Sequence, residues 1–381
     1  MGSVSPYATS QGKRYRVRYR RPDGAQTDKR GFKTKRDAEV FLASVEVSKA
    51  QGTFLDPSKS RVAVAELAIP WLVSKRASLK PSAYSPIETA WRLRVQPRWG
   101  RIAITDIAHS DVKSWVAELN QGLGASVVIR TYGVLASILD DAVHDRRIAV
   151  NPARGGKIGL PKKTTSRHVY LNHAQVEDLA SASGEYATLV RTLAYTGMRW
   201  AEVSGLSTQN IDFARSRIWV VTTAVEVNGE IYVGTPKSHK IRSVPMPRFL
   251  RDELAGRVAR LGPDDLVFPG RSGTYMRRVR TSAASKSWFK NAAESIDVPQ
   301  LHIHDLRHTA ASLAVQSGAN VKAIQRMLGH ASAAMTLDVY ADLFDDDLDA
   351  VSSALDQARA AQLDARRGNC PDSTAPPTSP G

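Results

Sequence analysis

The sequence predicts a multidomain chain: a small β-sheet with one helix, then an all-α domain, then a mixed α+β domain that is mainly α. Three observations predict it. Cations alternate with Tyr and Val from Lys13 to Arg21, the period of a half-exposed strand. Ile129, Leu135, Ile138, Leu139 and Val143 recur at helical spacing. From Val169 onward, helical patterns interchange with short β-branched runs. A length of 381 residues suits two or three domains.

Each element follows from local chemistry. Pro22-Asp23-Gly24 supplies a turn after the basic strand, and Gln26 to Phe32 returns as its pairing strand. Thr34 caps a helix over Lys35 to Ala50, with Ala38, Phe41, Leu42 and Val45 on one face. Val64, Leu67, Ala68, Trp71 and Leu72 mark the next helix, which Pro70 should kink. A second helix is expected after Pro86, through Trp91 and Val95, and a third from Asp111 to Leu119 with Ser110 as its cap. The fourth runs from Ser126 to Arg147, and Asn151-Pro152 ends it. A Gly/Lys-rich linker with Lys162 and Lys163 follows. Beyond it, helices fit Asn172–Ser183, Tyr186–Thr196, His304–Ser317 and Val321–Leu328. Strands fit Arg217–Thr223, Glu230–Thr235 and Arg242–Pro245, with Thr235 to Pro245 as a hairpin carrying a basic tip. Asp342 to Leu363 has the apolar spacing of an amphipathic helix, either docked on a neighbouring copy or packed on its own core.

Charge narrows the partner. Lys and Arg number 53 against 37 acids, a formal net charge of +16. Such a field attracts polyanions, and nucleic acid is the expected partner because phosphate neutralisation releases counterions. A basic membrane-surface protein is the competitor. No apolar run reaches spanning length and no signal-peptide pattern opens the chain, so no membrane role is expected. The only cysteine, Cys370, cannot form an internal disulfide framework, which fits a reducing cytoplasm. Arg14, Arg16, Arg18 and Arg20 are candidate DNA contacts on the strand, as are Lys162 and Lys163 in the linker. A solvated sheet edge and a solvated connection are the plain alternatives.

Five local patterns carry chemistry. Thr196-Gly197-Met198-Arg199-Trp200-Ala201-Glu202 sets Arg199 where one helix ends and another begins; Glu202 could also simply pair with it. Thr235-Pro236-Lys237-Ser238-His239-Lys240 offers two lysines at a loop tip. In His304-Asp305-Leu306-Arg307-His308-Thr309, His304 and Arg307 share a helix face. His304 and His308 are also spaced like helical zinc ligands, but Asp replaces the expected Glu and Arg307 would crowd a metal with a like charge. Leu328-Gly329-His330-Ala331-Ser332 puts His330 just past a helix end, and Thr336-Leu337-Asp338-Val339-Tyr340 offers a tyrosine in a small, apolar run. Singly, each pattern reads as ordinary structure.

In this order and at these distances the five motifs resemble the tyrosine recombinase (phage integrase) family, with Tyr340 ten residues after His330. The likeness covers nearly the whole chain and is closest to the three-domain temperate-phage or integrative-element type. It implies an arm-type DNA-binding domain over 1–57, a SAM-like helical core-binding domain over 61–152, a linker over 153–166, a catalytic domain over 167–363 and a disordered tail over 364–381. It implies that Tyr340 attacks the scissile phosphate and leaves a 3′-phosphotyrosine link. Arg199 and Arg307 would grip the non-bridging oxygens. Lys237, which follows Thr-Pro as the family pattern requires, would protonate the departing 5′-oxygen, with Lys240 as the alternative. His304 would help move the nucleophile's proton, and His330 would donate to the phosphate. The same resemblance implies a homotetramer on synapsed attachment sites in a bacterial host, with DNA-bending and excision proteins as possible accessories. No cofactor and no metal are expected: a covalent phosphotyrosine conserves the phosphodiester energy, and the chain has no Gly-x-x-x-x-Gly-Lys-Ser/Thr run. A DNA-binding regulator on the same fold is the alternative, and it should lack an Arg or the Tyr. A metal-dependent nuclease is the second, and it should fail in EDTA.

Overall fold

The structure is a computed structural model that describes residues 2–52, 54, 60–163, 168–236, 241–271, 273–280, 286–340 and 348–368, without the side chains of 335, 338–340, 348–351, 354 and 365–368. Two compact units emerge, Met1–Ser166 and Arg167–Gly381.

In the first unit, β1 (Ser3–Thr9), β2 (Gly12–Arg20) and β3 (Gln26–Phe32) form an antiparallel sheet in the order β1-β2-β3. Strand β1 adds to the two expected strands. It sits at the edge, where Pro6 costs no interior ladder bond. Helix α1 (Lys35–Ala50) starts as expected, with Thr34 Oγ1 accepting the Asp37 N–H at 3.1 Å. Val17 and Tyr19 are buried with Ala38 and Val45, and Tyr19 meets Phe41 edge-on at 6.0 Å. The period of two then puts Arg14, Arg16, Arg18 and Arg20 on the opposite face.

A second, separate core fills the helical part. Helix α2 (Val64–Ser78) holds Pro70 within one continuous element. The proline forgoes one bond to the Glu66 carbonyl. Buried Ala68 and Trp71 hold its flanks, and Trp71 Nε1 donates to Ser137 Oγ at 3.2 Å. Helix α3 (Pro81–Ala90) begins before Pro86, because Pro81 occupies the favoured first position. It passes through a π turn at Trp91–Val95 into α4 (Gln96–Trp99). Helix α5 (His109–Gly122) starts ahead of the expected cap: Ala108 is its N-cap, and no side chain bonds there. Helix α6 (Ala125–His144) buries Leu135, Ile138 and Leu139 as its stripe predicts.

The expected free linker starts as packed chain. Ala153 is fully buried and Ile158 nearly so, both in the helical core. Tyr132 Oη donates to the Ala153 carbonyl at 2.6 Å, and Asn151 Nδ2 donates to Ala136 O and Asp140 Oδ1. Gly and Lys content suggested solvation, but tertiary contacts decide the outcome here. Lys162 and Lys163 are exposed.

The second unit has α7 (His173–Ala182), α8 (Ala187–Thr196), α9 (Trp200–Ser204), α10 (Arg248–Val258), α11 (Trp288–Ser295), α12 (Asp305–Gln316), α13 (Val321–Leu328), α14 (Ala333–Tyr340) and α15 (Leu348–Gly368). Its strands are β4 (Ile211–Asp212), β5 (Arg217–Val220), β6 (Thr223–Val227), β7 (Glu230–Gly234) and β8 (Arg242–Pro245). They form a β4-β5-β8 sheet and a separate β6-β7 hairpin. The expected strand Arg217–Thr223 therefore splits between two sheets. Likewise Thr235 to Pro245 is not a hairpin: β7 pairs back to β6, while β8 crosses to β5. Its core is continuous, with Leu193, Phe289, Leu306 and Leu328 all buried. Helix α12 packs against α8 and α13, which sets the ends of three helices side by side. Among the described residues no helix is long and apolar enough to cross a membrane.

Candidate active site

Two left-handed glycines shape the site. Gly197 (φ 64°) closes α8 and Gly329 (φ 66°) closes α13. A Cβ on Gly197 would meet Leu328 Cδ2 at 2.6 Å, and one on Gly329 would lie 2.9 Å from Arg242 Cδ, so both positions also need the missing side chain.

Arg307 ties these helix ends together. It lies on α12 and is 3% exposed. Its NH1 donates to the Gly197 carbonyl and its NH2 to the Leu328 carbonyl, the latter at 2.6 Å. Both carbonyls sit at helix C-termini, where a cation is favoured.

Arg199 is the N-cap of α9, as its position after Gly197 predicts. The Arg199 N–H donates to Glu202 Oε2, and its NH1 to Oε1, each at 2.8 Å. Glu202 is buried and takes a second guanidinium: Arg242 NH1 and NH2 donate to it at 2.9 and 2.7 Å. Arg242 Nε reaches the Met327 carbonyl at 3.1 Å. Burial pushes the Glu202 carboxyl up, but the Arg242 guanidinium, with Arg199 beside it, holds it below the usual carboxylate range. Sequence reasoning paired Glu202 with Arg199 and missed Arg242, whose signal was only a cation opening a strand. Replacing Arg242 by Ala should lower the unfolding free energy by about 3 kcal/mol, since half of a buried pair is left behind. Urea melts check this; a change under about 1 kcal/mol would contradict the role given to Arg242.

Three imidazoles surround the cations. Burial, then the fields of Arg307 and Arg199, hold His304 below its ordinary value. Burial, then Arg307, Arg199 and Arg242, lower His330 to about 4. Burial, then His168 and His304, lower His308 to about 3. All three are neutral at pH 7, so among the described residues the pocket's positive charge resides on arginine. An unfolded His308 takes a proton near its ordinary 6.5, whereas the folded one does so only near 3. Stability is therefore full above pH 6.5 and falls as pH drops through that window, by on the order of 2 kcal/mol between pH 6.5 and 5. Melting temperatures across that range should show the loss, and His308→Asn should lessen it while the parallel contribution of His330 remains.

His304, at the start of α12, meets the His308 ring edge-on at 5.2 Å. The metal-like trio among the described residues is instead His168, Asp305 and His308, whose ligand atoms lie within 4.8 Å of one another. The His168 and His308 rings stack at 3.8 Å with planes 24° apart, so their in-plane lone pairs run side by side rather than converging. Asp305 Oδ2 accepts the His302 N–H at 2.8 Å.

The fold thus brings Arg199, His304, Arg307 and His330 into one cationic pocket with Glu202 and Arg242. Lys237 and Lys240 lie outside the described residues. Helix α14 carries Tyr340 at its C-terminal end, and its side chain is not described. The basic strand and Lys162-Lys163 belong to the first unit.

The profile of the phage integrase family matches residues 169–346, the stretch that holds this whole pocket. Residues 169–346 form a phage integrase (tyrosine recombinase) domain. The integrase of Mycobacterium phage D29 is 27% identical over 330 residues, covering 81% of this chain and 84% of that protein. Among solved structures, a Tn1549 transposon integrase in complex with transposon right end DNA matches with a TM-score of 0.63 at 22% identity, covering 76% of this chain and 100% of that one. A lambda integrase tetramer bound to a Holliday junction matches at 0.53 and 14% identity, covering 86% and 96%. These likenesses establish an integrase fold: N-terminal sheet, helical region and mixed C-terminal region.

Proposed function

We propose that this integrase cuts and rejoins DNA at paired attachment sites, and that Tyr340 is its nucleophile. One observation carries the reading. Arg307 holds the ends of α8 and α13 together, which gathers Arg199, His304 and His330 around one centre of positive charge. Attack on a phosphodiester builds charge on the phosphorus oxygens, and fixed cations stabilise it without reorganising. Arginine suits this work because it stays charged and forks onto two oxygens. In the forward step the Tyr340 oxygen bonds to phosphorus, its proton passing towards neutral His304. The P–O5′ bond breaks, and Lys237 gives the leaving oxygen a proton. Attack by the 5′-hydroxyl of a partner strand reverses the step and joins the new pair. His330 donates to a non-bridging oxygen.

The remaining parts fit DNA engagement. Arg14, Arg16, Arg18 and Arg20 line one face of a three-stranded sheet, where Arg16 Nε also donates to Ser5 Oγ at 3.0 Å. We assign 1–57 to arm sites, 61–152 with the packed start of 153–166 to core sites, and 167–363 to catalysis. Residues 364–381 are assigned as a tail whose first residues continue α15 to Gly368 instead of lacking regular structure. Helix α15 exposes every described side chain, Leu355 at 67%, which supports docking on a second copy and a tetramer on the synapse. The work would take place on DNA in a bacterial cytoplasm, with bending and excision proteins as accessories.

The test is recombination between two attachment sites on one plasmid, in EDTA and without nucleotide. Inversion or excision of the intervening segment is expected; activity that vanishes in EDTA would point to a metal-dependent nuclease. Removing residues 1–57 should erase protection of distal arm sites in a footprint while core cleavage survives. Unchanged arm protection would overturn that domain's role.

A further inference from the structure

His330 leaves a question of proton placement. A neutral imidazole has one N–H, and it donates to a phosphate oxygen only from the nitrogen that carries it. Nδ1 of His330 lies 3.0 Å from Thr336 Oγ1. Thr336 is fully buried, and among the described residues this is the hydrogen bond its hydroxyl makes. A buried hydroxyl needs an acceptor for its proton. Nδ1 is that acceptor, which puts the ring's own proton on Nε2. The reverse arrangement would strand the Thr336 proton and turn an Nε2 lone pair towards an anion.

Thr336 also lies on α14, one turn before Tyr340 on the same helix face. Its bond therefore joins the helix that carries the nucleophile to the loop after Gly329 that carries a phosphate donor. We infer that Thr336 is a positioning residue: its hydroxyl sets the Nε2–H tautomer of His330 and locks α14 against the pocket, so that nucleophile and phosphate donor are aligned together. This rests on the recombinase reading for its catalytic half. The low protonation point of His330, about 4, keeps the ring neutral at working pH, where tautomer rather than charge decides its use.

The experiment compares Thr336→Val, which keeps the shape and removes the hydroxyl, with Thr336→Ser, which keeps the hydroxyl. Covalent adduct formation on a nicked attachment-site duplex should slow by roughly 10- to 100-fold in Thr336→Val. Thr336→Ser should recover most of that rate, and DNA binding by gel shift should hold in both. In a His330→Ala background, Thr336→Val should cost less than about threefold, since the residue acts through the imidazole. Nitrogen-15 spectra of histidine-labelled full-length protein without DNA should show a bare Nδ1 and a protonated Nε2 at His330, becoming a mixture in Thr336→Val. That readout needs no cleavage. If wild-type protein forms no adduct, the recombinase reading fails separately from the tautomer assignment. An unchanged adduct rate in Thr336→Val, an unchanged tautomer, or an undiminished penalty in the His330→Ala background would each overturn the inference.

Discussion

Tyr340→Phe should abolish covalent attachment to a nicked attachment-site duplex while leaving the affinity for that duplex within about twofold. The change removes one oxygen, the atom that bonds to phosphorus, and leaves the ring. Tyrosine has a reference pKa of about 10, so its attack at neutral pH depends on a cationic field and a proton acceptor. The pocket offers both: buried Arg307 with Arg199, and a neutral His304. Adduct persisting in Tyr340→Phe would move the nucleophile elsewhere. A large fall in affinity would make Tyr340 a binding residue instead.

Arg307→Ala should reduce cleavage by about 10³-fold or more, as expected for removing a preorganised cation from a charged transition state. It should also destabilise the integrase domain. The guanidinium donates to Gly197 O and Leu328 O, and charge-assisted bonds of this kind contribute roughly 1.5–3 kcal/mol each before relaxation. A total loss of about 2–4 kcal/mol is expected from urea melts. Arg307→Lys should keep the charge and lose the fork, since one ammonium cannot bridge two helix ends in the same geometry. Its stability should lie between the other two, with cleavage still down by more than about tenfold. If Arg307→Ala cut slowly but melted like wild type, the bridging role would be wrong. If it melted early but cut normally once folded, the phosphate role would be wrong.

Much of this was legible from residue order because local signals govern it. The Thr34 cap, the Gly197 helix end and the Arg242–Pro245 strand each announce themselves within a few residues. The stripe on α6 does so over a longer span, because 3.6-residue spacing survives any tertiary setting that buries one face. What was not legible depends on distant partners. Nothing near Arg242 says that it pairs with Glu202, 40 residues earlier, and crosses to β5 instead of folding back on β7. Ala153 reads as linker until Tyr132 and the helical core receive it. Ser110 is a sound cap by type, but the chain had already turned helical at His109. Thr336 reads as an ordinary helical residue, and only the fold sets His330 against it. In the site, residue types marked the chemistry, while the second tier that aims Arg199, Arg307 and His330 came from long-range packing.

The central claim is that DNA becomes joined to this protein through the Tyr340 oxygen. The direct measurement is mass spectrometry of the protease-digested adduct formed on a nicked attachment-site duplex. The account predicts one peptide, containing Val339-Tyr340, with the DNA 3′-phosphate on the tyrosine and a free 5′-hydroxyl on the released strand. A nucleotide on any other residue, or cleaved DNA with no protein attached, would contradict it.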